Sequence, residues 1–127
     1  SLAELRARFP AGLAGSRHLP TISELRSLVR GCANTETGGP CSVTDACLRH
    51  WCSVSGCRGC EFFRGPGGGG AYWPDELFGV GPVSWYWSSS TLPDIASNAW
   101  VIAFQDATVS DGPGTHLYYA RCVRLGP

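Results

Sequence analysis

The 127-residue chain has no lysine, no methionine and no excess of charge: ten acidic side chains balance ten basic ones, all of them arginine. A general nucleic-acid or anionic-membrane binder carries a basic surplus, so the balance argues against both classes. No apolar run approaches the ~20 residues that span a bilayer, so no membrane insertion is expected. The sequence shows no signal peptide, though a cleaved one leaves no trace. It also opens without an initiator methionine, which reads as a fragment or a processed product. Catalytic signatures are missing as well. There is no GxSxG, no HExxH and no paired-carboxylate pattern. His18, His50 and His116 stand apart from one another. The run "GPGGGG" (65–70) lacks the Lys-Ser/Thr of a phosphate loop and reads as a flexible surface loop. No enzymatic activity is expected.

What the chain does have is cysteine. Seven are present, five of them packed into "CSVTDACLRHWCSVSGCRGC" (41–60). Zinc wants two CxxC-like pairs or one with paired histidines. Only Cys57 and Cys60 have that spacing, and His50 is the sole nearby imidazole. A redox CxxC belongs at a strand-to-helix junction of a βαβ unit, whereas "GCRGC" lies in a Gly/Ser-rich stretch. The favoured reading is a disulfide-stapled loop in an oxidising compartment, secreted or on the cell surface. A long segment without regular pattern needs covalent help to offset its ordering entropy. The candidates are Cys32, Cys41, Cys47, Cys52, Cys57, Cys60 and Cys122. An odd count leaves one thiol over, and the pairing itself is not readable from spacing.

Along the chain, one domain is expected. "SLAELRAR" (1–8) reads as a short helix capped by Ser1 and Glu4, within an N-terminal extension over 1–10. "TISELRSLVRG" (21–31) is the clearest helix: Thr21 and Glu24 form a capping box, Ile22, Leu25, Leu28 and Val29 repeat at helical spacing, and Gly31 ends it. Residues 32–70 form the cysteine- and glycine-rich loop. Strands follow at 84–91, 98–105 and 117–125, with 107–110 continuing after a turn at Gln105-Asp106. A further turn is expected at "DGPG" (111–114). In 98–105, Trp100, Ile102 and Phe104 share one face. The result is an α+β layout, an antiparallel sheet packed on one or two helices with a long stapled loop.

The pieces "LPTISELRSL" (19–28), "YWSSST" (86–91), "AWVIAF" (99–104) and "YYARCVR" (118–124) together resemble the bacterial domain called DUF1566, named also for the C-terminal domain of the Legionella collagen-like protein. It is close to the Fibrobacter major paralogous domain. Where that family carries Trp-Arg before Leu-Pro, this chain has Arg17-His18. The resemblance implies a C-type-lectin-like fold and an exported surface domain whose loops bind. It also implies a staple from the helix to the last strand, which here would join Cys32 to Cys122.

Candidate ligand contacts lie in loops at 92–98 and 105–116, and in 61–75. They are Asp94, Asn98, Gln105, Asp106, Asp111, His116 and Tyr118, acting by hydrogen bonding and shape. No cofactor is expected, although the loop carboxylates with Asn98 and Gln105 suit calcium, which takes six to eight oxygens. The competing reading is Asx-turn chemistry. Trp85, Tyr86 and Trp87 can stack on sugars, but Trp87 and Trp100 are expected in the core, and Ser88–Ser90 are expected to satisfy backbone groups. Arg121 and Arg124 suit either an internal ion pair or an anionic glycan. The function expected is a non-enzymatic adhesion or ligand-binding domain for a glycan or a protein surface. The alternatives are a structural module of a fibre or homo-oligomer, a diversified receptor domain, and a zinc-stabilised cytosolic domain.

Overall fold

The computed structural model describes residues 17–77, 82–116, 118–120 and 123–124. The helix expected over 1–8, Arg121 and Cys122 lie outside the described residues.

The capping box expected at Thr21 is present. Thr21 Oγ1 accepts from the Glu24 N–H at 3.2 Å, and Glu24 Oε1 accepts from the Thr21 N–H at 2.9 Å. Helix α1, however, runs only over Ile22–Arg26. The next donors tighten into i→i+3 bonds, Leu28 N–H to Leu25 O and Val29 N–H to Arg26 O. The Arg30 N–H then leaves the helix axis for Tyr72 O at 2.9 Å, so a bond to another segment ends the helix five residues before Gly31. Gly31 still turns the chain, at φ 87°. Ile22, Leu25, Leu28 and Val29 are all buried, so the helical period reported the buried face even where the helix had ended.

Strands β2 (Trp85–Leu92), β3 (Ile95–Ala103) and β4 (Thr108–Pro113) form an antiparallel meander in that order. The turn after β3 falls at 104–107, with Ala107 at φ 65°. The expected turn at 111–114 starts too early. Asp111, Gly112 and Pro113 belong to β4 and pair with Trp100, Ala99 and Asn98. β4 is an edge strand, where the missing N–H of Pro113 breaks no ladder. The expected last strand over 117–125 is also replaced. Tyr119 makes one parallel bridge to Tyr86, and strand β5 (Val123–Arg124) pairs with β1 (Arg17–His18).

The C-terminal part of β3, residues 100–103, is buried on both faces. Trp100 and Ile102 face the α1 side with Tyr86 and Val109, while Val101 and Ala103 share the opposite side with Trp85 and Trp87. On that second face Tyr118 covers Trp85 and Trp87, at ring-centroid distances of 5.7 and 4.9 Å. Trp87 is therefore half-buried under Tyr118 and not a core residue, whereas Trp100 is fully buried as expected. Ser88 Oγ donates to Trp100 O at 2.7 Å. Ser90 Oγ accepts from the Ile22 N–H at 2.9 Å and so binds the helix start to β2.

Three disulfides hold the loop: Cys32–Cys60, Cys41–Cys57 and Cys47–Cys52. The expected Cys32–Cys122 link is thus wrong. Residues 59–60 are stitched to the β3–β4 turn, by Cys60 N–H to Asp106 O and by Gly59 N–H to Thr108 Oγ1, and Cys60 there meets Cys32, which follows Gly31. Cys57 and Cys60 bond different partners, so "GCRGC" is not a redox pair. The glycine run is not a loose tip either. Gly65 and Gly67 donate to Gly70 O and Ala71 O, folding it back onto the chain.

At the loop's centre lies the buried Arg26. Its guanidinium donates to four carbonyls, of Thr35, Cys41, Val43 and Glu36, at 2.7 to 3.0 Å. Burial pushes its pKa below the usual arginine value. The carbonyls supply the negative ends of dipoles in place of a carboxylate.

Candidate functional site

The structure distributes the sequence-derived contacts over separate places. Asp94, in the β2–β3 turn, accepts from the His50 N–H with both carboxylate oxygens, at 3.0 and 3.1 Å. Asn98 Nδ2 donates to Asp111 Oδ2 at 2.8 Å across β3 and β4. His116 Nδ1 and the Tyr118 hydroxyl lie 3.0 Å apart on the outer face, where Gly112 leaves room for the Tyr118 ring. Gln105 and Asp106 sit at the other end of β3, a separation of roughly 25 Å from Asp94 at about 3.3 Å per residue. There Asp106 Oδ1 accepts from the Thr108 N–H at 3.0 Å, and the Gln105 carbonyl accepts from the Phe63 N–H. Gln105 Oε1 is buried without a partner. The carboxylates proposed for calcium do not converge, and among the described residues no group of three or more His, Cys, Asp or Glu side chains is placed to hold a metal.

One of these residues, Asp94, adjoins a residue that lines a concave surface. Pro93, next to Asp94, forms one wall of an open groove of about 390 Å³; Asp45, Leu48, Arg49, Trp51 and the Cys47–Cys52 disulfide form the rest. Trp51 is 65 % exposed. The Arg49 guanidinium stands 5.2 Å from its ring centroid, a cation–π distance. No carboxylate pairs with Arg49 among the described residues. Sequence reasoning passed over both residues. The available signal was "CLRHWC", an arginine and a tryptophan two residues apart between closely spaced cysteines.

The groove is built on fixed backbone. Thr44 and Cys47 exchange two backbone hydrogen bonds, and Leu48 O accepts from the buried Trp100 indole at 2.8 Å. Asp45 accepts from Thr21 Oγ1 and the Ser23 N–H, which hooks this wall to the start of α1. The Asp94 clamp on His50 joins the opposite wall to the same loop. Trp51 thus presents a large aromatic face to water on a loop of fixed backbone, at the mouth of a concave surface. A second groove of about 370 Å³, between Ser53, Ser55, Arg58 and β4, carries no aromatic platform.

Comparison with known proteins adds one finding. A family model described as the Lcl C-terminal domain matches residues 3–124. No curated protein and no solved structure matches the chain.

Proposed function

The chain belongs to the Lcl C-terminal domain family, and from that premise we propose that it is a non-enzymatic ligand-binding or adhesion domain that recognises a glycan or a protein surface. Family membership suggests an extracellular, surface-associated domain, and three disulfides suit that oxidising environment. No helix among the described residues is long and apolar enough to cross a membrane. The C-type-lectin-like assignment belongs to this reading, a small sheet beneath long loops that bind.

The observation that carries the proposal is Trp51, exposed beside Arg49, which pairs with no carboxylate among the described residues, in a groove whose walls are fixed by a disulfide and a carboxylate clamp. An aromatic face offers stacking area at little entropic cost, and the arginine offers a directed donor for an acidic group. Asp94 serves as a brace between the walls, and the site works without a cofactor. The test is binding of the oxidised domain to a panel of neutral and sulfated glycans, with calcium and with a chelator. Binding that Trp51→Ala abolishes and the chelator leaves intact supports the groove. Binding that survives Trp51→Ala sinks it.

A second reading, a structural assembly module, draws on Phe62 and Phe63, which are 64 % and 54 % exposed at the far end of the sheet. Self-association removed by Phe62→Ser with Phe63→Ser favours it.

A further inference from the structure

We propose that the Cys47–Cys52 disulfide is a redox-sensitive control on the groove: its reduction by a dithiol lowers affinity for the ligand while the domain stays folded. This rests on the reading of the groove as the binding site. The bridge closes the loop that carries Arg49 and Trp51, and Cys52 directly follows Trp51. Both cysteines line the groove. Cys47 is half-exposed and Cys52 buried, so an attacking thiolate reaches the bridge from the Cys47 side.

The other two bridges hold the core. Cys32–Cys60 joins the segment just after Gly31 to residues bonded to the β3–β4 turn, and Cys41–Cys57 joins two residues that are each 2 % exposed. Their sequence separations are 28 and 16, against 5 for Cys47–Cys52. A shorter closed loop constrains the unfolded chain less, so losing this bridge costs the fold least. With it open, the bonds of Leu48 to Trp100 and of His50 to Asp94 keep the loop on the sheet. Trp51 and Cys52 then lose their covalent tether and are held by the Cys52 N–H bond to Arg49 O and the Ser42 hydroxyl on Cys52 O, so the ring and guanidinium lose their fixed relation.

The chemistry balances as a thiol–disulfide exchange. A thiolate of the dithiol attacks Cys47 Sγ, the bond to Cys52 breaks, and Cys52 leaves as thiolate. The second thiol attacks the mixed disulfide and releases Cys47. Two electrons pass to the protein, the two protons of the dithiol end on Cys47 and Cys52, and the dithiol departs as its own disulfide.

The test uses graded dithiothreitol with alkylation and peptide mass mapping, hydrogen exchange, and retention on immobilised dextran sulfate. Cys47 and Cys52 should be alkylated first. Exchange should rise over 46–52 while 100–104 stays protected, and affinity should fall about tenfold or more. The Cys47→Ser, Cys52→Ser double variant should show the same loss without reductant. Another bridge opening first, or a double variant binding like the wild type, overturns the proposal. Failure of the oxidised protein to bind dextran sulfate overturns the groove reading for this polyanion and with it control of that binding. The alkylation order and the exchange then show separately whether the loop opens.

Discussion

Arg26 donates to the carbonyl of Val43 across 2.7 Å, from a helix to a loop seventeen residues on. The same guanidinium nitrogen reaches the carbonyl of Cys41, itself one half of the Cys41–Cys57 bridge, at 3.0 Å. The cation therefore fixes the backbone on which that disulfide is placed. Replacing Arg26 with Met leaves the buried carbonyls of Thr35, Cys41 and Val43 without this donor, while Glu36 O keeps the Gly39 N–H. A loss of about 3 kcal/mol or more is expected, measured by urea denaturation under oxidising conditions. Lysine should recover little of it, because one ammonium cannot span four acceptors in a fork.

Cysteine oxidation has a sharper readout. Six of the seven cysteines are in bridges. Under denaturant without reductant, no more than one thiol should react with a thiol reagent. A count of seven would contradict the stapled loop.

Gly59 should tolerate no side chain. A Cβ there would sit 1.8 Å from Asp106 O and 2.6 Å from the Thr108 nitrogen, both backbone atoms. Gly59→Ala must push 58–60 off the β3–β4 turn and weaken the Cys60 to Asp106 bond. A cost of about 2 kcal/mol is expected. A thermal melt unchanged by Gly59→Ala would contradict this packing.

Trp51→Ala should separate stability from binding. The side chain is mostly in water, so stability should change by no more than about 0.5 kcal/mol. Glycan retention should fall about tenfold or more. A large drop in stability would mean that Trp51 is structural.

Ser90→Ala removes the acceptor for the buried Ile22 N–H at the start of α1. The expected cost is about 1–2 kcal/mol, read from chemical denaturation, with the sheet retained by circular dichroism.

The local signals in the chain reported local events. Thr21 and Glu24 specified the helix start, because a capping box involves residues three apart. The alternation around Trp100 specified a strand, and Gln105-Asp106 specified its reversal. The cysteine density pointed to staples. What stayed hidden was everything set by contact between distant segments. The end of α1 is decided by Tyr72 O taking the Arg30 N–H, and the pairing of Cys32 by the stitching of 59–60 to Asp106 and Thr108. The "DGPG" turn signal lost to the ladder with β3, since Pro113 at a sheet edge costs nothing.

The same division holds at the site. The seven residues marked as contacts are polar residues expected in loops, the type that binds in general, although Asn98 and Asp111 belong to β3 and β4. Tertiary structure spends most of them on internal hydrogen bonds and turns Asp94 into a clamp on His50. Trp51 carried no such mark, since a tryptophan is ordinarily buried. By itself the sequence determined the family, the oxidised cysteine loop and the start of each main element, because these rest on residue identity and short spacing. Only the tertiary structure decided which cysteines meet, which face of β3 is covered, and that Arg49 and Trp51 stand in a groove, because each depends on where chain segments tens of residues apart come together.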